Sequence, residues 1–251
     1  MGKRKIGIEV EHAVMKGNLA IPASGQYGFD KDSPLTTKFG TIHEDGAMFE
    51  IAIDPTETAE QQYEYYDNLL KLSQPLLKPK NHALGLCSSL LYNEGALLFS
   101  EGSNRIGCSP SICAYRPEKE KHLEGYEDAH RFAGLHINVD YEGTDQEKYD
   151  FVKKLDYWVG LYSVANWEKD DQEGNIIRRK FYGEAGNCRL TPFGVEYRTL
   201  PAMVWSKENC SKIYDLVDKA IEAPTLKTSN LYEKIINECD SNYAQEILQN
   251  G

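Results

Sequence analysis

The chain has 251 residues, of which 41% are hydrophobic, enough to bury a sizeable core in one large domain or two small ones. Its net charge of −11 argues against a broad phosphate-backbone binder, because sequence-independent affinity for nucleic acid comes from Lys and Arg. The basic start meets two acids before any apolar run, no stretch approaches the roughly 20 apolar residues of a membrane span, and the six cysteines form no CxxC pair; these features predict a cytoplasmic protein with reduced thiols and no leader or membrane anchor.

In chain order, the first element is a strand, KIGIEVEH, with Ile6, Ile8 and Val10 on one face and Gly7, Glu9 and Glu11 on the other. Residues 16 to 46 read as a long loop. MFEIAID is the second strand, with Phe49, Ile51 and Ile53 opposite Glu50, Ala52 and Asp54. Thr56 then precedes a helical pattern, ETAEQQYEYYDNLLKLSQPLL, that Pro75 is expected to cut. Residues 94 to 131 read as a second loop; Cys108 lies in it, and a small buried thiol is the commoner reading there than a nucleophile. GLHINVDY is the third strand, setting His136, Asn138 and Asp140 against Leu135, Ile137 and Val139. Thr144 with Glu147 three residues on is a capping box that opens the helix KYDFVKKLDYWVGLYSVANW. Residues 168 to 194 read as a third loop, and GVEYRTL as the fourth strand, alternating Val195, Tyr197 and Thr199 with Glu196, Arg198 and Leu200. Ser206 opens a helix closed by Pro224, and LYEKIINECDSNYAQEILQN reads as one C-terminal helix.

If the four strands share a sheet, Glu9, Glu11, Glu50, His136, Glu196 and Arg198 form one polar patch opposite an apolar face covered by helices. Residues two apart on one strand face lie roughly 7 Å apart, so Glu9 and Glu11 are spaced for two different ions rather than one. Clustered carboxylates need counter-ions, and Mg²⁺ or Mn²⁺ suits a carboxylate-rich set that bridges to phosphates better than zinc does. The segment RRKFYGEAGNCR adds Arg178, Arg179 and Arg189 between glycines, a composition equally open to phosphate binding and to a basic surface loop.

Four motifs in one order resemble the carboxylate–amine ligase superfamily that includes glutamine synthetase and glutamate–cysteine ligase: GIEVEH, EDGAMFEI, GLHINVDY and YGEAGNCRLTPFGVEYRTLP. With GCSPSICAY, they are nearest to the phage-type amidoligases called carboxyl-amine ligase type 2. The resemblance implies an α+β fold, a glutamine-synthetase-like catalytic domain over residues 1–251 with a curved, mainly antiparallel sheet. Helices would pack on one face, those of about 206–250 behind the sheet. It implies an ATP-dependent ligase that forms an amide or isopeptide bond through an acyl phosphate with two or more divalent metals, Mg²⁺ or Mn²⁺. By position, Glu9, His136 and Glu196 would hold one metal and Glu11 and Glu50 another, with Asp45 nearby. Arg198 and Asp45 would be catalytic, and Arg178, Arg179, Arg189 and Arg198 would contact nucleotide or intermediate. Arg105 and Arg131 would meet the acceptor. Partners would be small-molecule or peptide carboxylates and amines, with no nucleic acid and no membrane, in the host cytoplasm if phage-encoded; oligomeric state stays open. The alternatives are a guanidino-kinase-like phosphotransferase, a metal-dependent amide hydrolase, and a non-catalytic nucleotide-binding structural or virion protein.

Overall fold

In the computed structural model, which describes residues 4–98, 101–104, 111–121, 129–224 and 230–250, the chain opens with strands. These are β1 (Ile6–Lys16), β2 (Leu19–Ile21), β3 (Leu35–Thr37), β4 (Gly40–Asp45) and β5 (Met48–Thr56), ahead of helix α1 (Ala59–Leu77). Short pieces follow: β6 (Ala83–Gly85), β7 (Ser89–Leu91), α2 (Glu94–Leu98), β8 (Ser111–Cys113), β9 (Arg116–Lys121) and β10 (His130–Phe132). Longer elements then return: β11 (Gly134–Asp140), α3 (Asp145–Leu155), α4 (Leu161–Asn166), α5 (Gln172–Phe181), β12 (Asn187–Thr191) and β13 (Gly194–Pro201). Three helices end the chain, α6 (Lys207–Glu222), α7 (Asn230–Asn237) and α8 (Ser241–Asn250).

The four alternating runs become four adjacent strands. The main sheet runs β3-β4-β5-β1-β11-β13-β12-β8-β9, with β2 and β6 pairing the far end of β1, and every ladder is antiparallel. The α+β expectation is borne out. On one face Ile6, Ile8, Val10, Ile51, Ile53, Leu135, Ile137 and Val195 enter a single apolar core with Leu69 of α1, Phe151 and Leu155 of α3 and Ile213 and Val217 of α6. His12 shares this face: burial holds its imidazole down to about 4, and it bonds the Tyr66 hydroxyl and the Val10 carbonyl. No helix among the described residues is long and apolar enough to cross a membrane.

Several boundaries differ from the sequence reading. Thr58, not Thr56, caps α1, and Pro75 stays inside the helix, two residues before its last, so that only a short stretch of helix follows the missing N–H. The span 16–46 carries β2, β3 and β4, and 168–194 carries α5 and β12. Asp171, accepting from the Gly174 N–H, starts α5 in a segment whose Gly and Asn hide its period. The C-terminal pattern breaks at Cys239, which adopts φ of 51° between α7 and α8. The capping box at Thr144 and the Ser206 cap form as expected.

Between α3 and α4 the helix widens to a π turn, Asp156–Gly160. Gly160 leaves space there for the Tyr197 hydroxyl, which a Cβ would approach to 2.7 Å. That hydroxyl donates to Asp156 Oδ1 at 2.7 Å, and burial raises the Asp156 carboxyl to about 7 against the pull of this bond. A folded-state value above the ordinary 3.8 stabilises the fold fully below that value and ceases to do so as pH rises through 7. The loss is on the order of 4 kcal/mol. Asp156→Asn therefore flattens the fall in stability between about pH 4 and pH 7; parallel wild-type and variant curves in urea unfolding would exclude this account.

Candidate active site

Registry brings the polar residues of six strands together. Glu9 of β1 pairs with His136 of β11, Glu11 of β1 with Glu50 of β5, and Glu50 with His43 of β4. On the other flank Asn138 of β11 pairs with Glu196 of β13, and Glu196 with Arg189 of β12. A register shift between Leu135 and Ile137 in the β11–β13 ladder falls at His136, the position that bears on the site. The polar patch expected from the alternation forms, and Glu11, Glu50, His136, Glu196 and Arg198 on it are all buried. Burial is tolerated because each charge faces opposite charges or imidazole.

Two clusters result, each with three ligand atoms within 4.8 Å of one another: Glu9, His136 and Glu196, and His43, Asp45 and Glu50. In the first, His136 Nδ1 lies 3.0 Å from Glu9 Oε2 and 3.5 Å from Glu196 Oε1. Asn138 donates to Glu9 Oε1 at 3.0 Å, and Arg189 to Glu196 Oε2 at 2.9 Å. Arg198 Nε stands 3.4 Å from Glu196 Oε1. In the second, His43 Nε2 is 3.4 Å from Glu50 Oε1, and Lys31 reaches Asp45 at 3.2 Å.

The electrostatics of the two clusters differ. Burial works to raise the Glu9 carboxyl, but hydrogen bonding and charge from His136, with Asn138 and Arg198, pull it down to about 2. Glu50 is pushed well above the usual carboxylate range by burial and then by Glu9, Asp45 and Glu11. Burial also lowers the His43 imidazole against the pull of Asp45. Both clusters fit a hard divalent cation by a further observation: the ring nitrogens of His43 and Oε1 of Glu196 are buried with no hydrogen-bond partner among the described residues. A cation would neutralise the acids that push Glu50 upward.

Four of the residues expected at the site have other partners in the structure. Glu11 joins neither cluster; its carboxylate accepts the Gly134 N–H across the sheet, and burial raises it. Arg178 turns inward, fully buried, and donates to the Thr199, Arg198 and Leu200 carbonyls, clamping the end of β13. Arg179 is equally buried and pairs with Glu168 at 2.8 Å. Arg131 spends its guanidinium on the Ser103 and His130 carbonyls. Arg105 and Cys108 lie outside the described residues.

His43 escaped the sequence reading because GTIHED looks irregular: Glu44 stands where the alternation asks for an apolar residue. That carboxylate is buried for a local reason, accepting backbone N–H groups of Gly25, Tyr27 and Gly28. Thr41, His43 and Asp45 keep the period of two and are the signal that could have found the strand. Tyr182, whose hydroxyl meets His136 Nε2, had no sequence signal.

Beside Glu9 opens a cavity of about 470 Å³ lined by Gly7, Ala52, Asn138, Thr191 and Phe193 among others. Small side chains on the sheet make its floor, and Phe193, in the β12–β13 turn, is 80% exposed at its edge. Its volume falls in the range of small-molecule sites.

Residues 122–243 match the model of the family described as Phage phiEco32-like COOH.NH2 ligase-type 2. The resemblance of the sequence motifs to carboxylate–amine ligases is thereby borne out over that segment, which carries His136, Arg189, Glu196 and Arg198. Among solved structures, a bifunctional glutathione synthetase from Pasteurella multocida matches at TM-score 0.49 and 13% identity over 98% of this chain and 46% of that one. A structure described as a novel glutamine synthase homolog matches at TM-score 0.43 and 9% identity over 98% of this chain and 63% of that one. The chain thus spans about half the length of the first of these. No curated protein matches.

Proposed function

We propose that this chain, similar over residues 122–243 to COOH.NH2 ligases, is an ATP-dependent ligase that joins a carboxylate to an amine through an acyl phosphate. The observation that carries the reading is the meeting of two three-ligand clusters and Arg198 on one buried sheet face. Glu9, His136 and Glu196 would hold one Mg²⁺ or Mn²⁺, and His43, Asp45 and Glu50 a second. Divalent ions bound there supply neutralisation of the charge that spreads over the phosphoryl oxygens during transfer.

The chain's own groups do the rest. Arg198 stabilises the phosphoryl group as it passes to the substrate carboxylate, and Arg189, whose side chain is 32% exposed, reaches the same phosphates from the rim. Arg178 acts one step removed, fixing the β13 backbone that aims Arg198. The nucleoside occupies the cavity beside Glu9, its base over the floor of Gly7 and Ala52 and against Phe193. Asp45 serves as a ligand rather than as the separate catalytic group expected from the sequence. The reading takes residues 1–251 as one catalytic domain and a small-molecule or peptide pair as substrates.

A carboxylate is too stable to react with an amine directly, so ATP must be consumed in proportion to amide formed. The test is phosphate release with ATP, Mg²⁺ and a matrix of amino acids, amines and small peptides, followed by mass spectrometry. The expected product is lighter by one water than its two reactants combined. A stable phosphorylated product instead would favour a kinase, and amide cleavage without ATP a hydrolase.

A further inference from the structure

Tyr182 follows the last turn of α5 and is 3% exposed, its N–H donating to the Arg178 carbonyl. Its hydroxyl meets Nε2 of His136 and lies 3.4 Å from Arg198 Nη2. The phenol ring stands edge-on to the imidazole, with centroids 5.9 Å apart and an interplanar angle of 88°. Its faces carry two guanidinium groups, Arg178 Cζ at 4.7 Å and Arg198 Cζ at 5.3 Å. The contact needs the glycine at position 134, where a Cβ would stand 2.6 Å from the hydroxyl and 2.8 Å from His136 Nε2.

A neutral imidazole has one bare nitrogen and one N–H. His136 Nδ1 is the nitrogen that faces Glu9 and Glu196, so a cation held among the three takes the Nδ1 lone pair. The proton must then sit on Nε2, which needs an acceptor, since the partner of the second nitrogen fixes tautomer and ring orientation. Glu11 Oε1 is 4.0 Å away, too far for a hydrogen bond, and the Tyr182 hydroxyl is in contact.

We propose that Tyr182 is a positioning residue: its oxygen accepts the Nε2 proton of His136 and keeps Nδ1 bare and aimed at Glu9 and Glu196. The inference rests on the metal-dependent ligase reading, and it assigns to α5 the task of preparing a ligand on β11. The ring, packed against two buried arginines, is held in place while an imidazole rotates, so the hydroxyl sets the ring angle as well as the tautomer.

Tyr182→Phe removes one oxygen and keeps the ring against its two arginines. Mn²⁺ binding to the full chain is measured by the electron paramagnetic resonance of free Mn²⁺, in wild type, Tyr182→Phe and Glu196→Gln. The expected result is a roughly 10–100-fold weaker affinity in Tyr182→Phe for the one class of site that Glu196→Gln also loses, with the metal-free chain still folded by circular dichroism and the other class of site unchanged. In the Mg²⁺-loaded wild type, ¹⁵N shifts of His136 should report Nε2–H. If wild type binds Mn²⁺ and Tyr182→Phe binds it equally, or if the loaded imidazole carries its proton on Nδ1, the positioning role is overturned while the ligase reading stands. No Mn²⁺ binding by wild type overturns both.

Discussion

Replacing Glu196 by Gln lowers metal-dependent ATP turnover by about 10²–10³-fold and leaves the chain folded. The carboxylate does two things that an amide cannot do together. Oε1 faces His136 Nδ1 and Arg198 Nε without a hydrogen-bond partner, and Oε2 accepts from Arg189. A glutamine keeps the acceptor for Arg189 but presents either no charge or an N–H to the cation position. The fold tolerates the change because glutamine has the same shape and keeps an acceptor oxygen for Arg189, whose side chain is 32% exposed and so stays solvated. Glu9→Gln has the same effect on turnover, since Glu9 shares the cluster. Phosphate release with Mg²⁺ and circular dichroism check the two halves of the statement, and full ATP-dependent amide formation in both variants would sink it.

Glu168→Gln unfolds the protein more readily, by about 3–5 kcal/mol, for a reason remote from the chemistry. Glu168 and Arg179 are each 1% exposed and meet at 2.8 Å, with Ser163 donating to Glu168 at 2.6 Å and Arg179 also bonding the Cys239 sulfur. The pair ties the end of α4 to α5 and to the turn before α8. Desolvation works to lower the guanidinium, and Glu168 more than reverses it, so the charge stays. Without its partner Arg179 is a buried uncompensated cation. The melting temperature should fall by on the order of 10 °C, and Glu168→Leu combined with Arg179→Leu should recover part of the loss. A single-variant loss within the scatter of surface substitutions would show that water reaches the pair.

The contrast between these two sites marks what the sequence can disclose. Glu9, His136 and Glu196 were legible because strand alternation leaves a sign of period two, and three runs carried ligand-type residues in the same phase. Their adjacency in the sheet needed only antiparallel neighbours, as the order of β5, β1, β11 and β13 bears out. Arginines carry no such phase. Arg178 and Arg179 looked like phosphate ligands in a glycine-bearing stretch, but a buried helix face and a short one are indistinguishable when Gly174 and Asn175 interrupt the period. Glu11 was misplaced by one partner for another reason: spacing along β1 shows which face it shares, and only tertiary packing shows that a backbone N–H at Gly134 reaches it first. Tyr182 depends on a crossing of α5 and β11 that no local pattern encodes.

The ladder between β1 and β11 pairs Glu9 with His136, 127 positions apart. During synthesis β1 emerges with β5 beside it and its other edge open for more than half of the chain's length. A long open strand edge invites pairing with a neighbouring chain, and inward-pointing charges discourage it. Glu9 and Glu11 stand on that strand, so an intruder would have to bury two unneutralised acids. Acids that the sheet holds on its buried polar face thus also guard the nascent chain, and neutralising them carries a cost in aggregation before folding is complete.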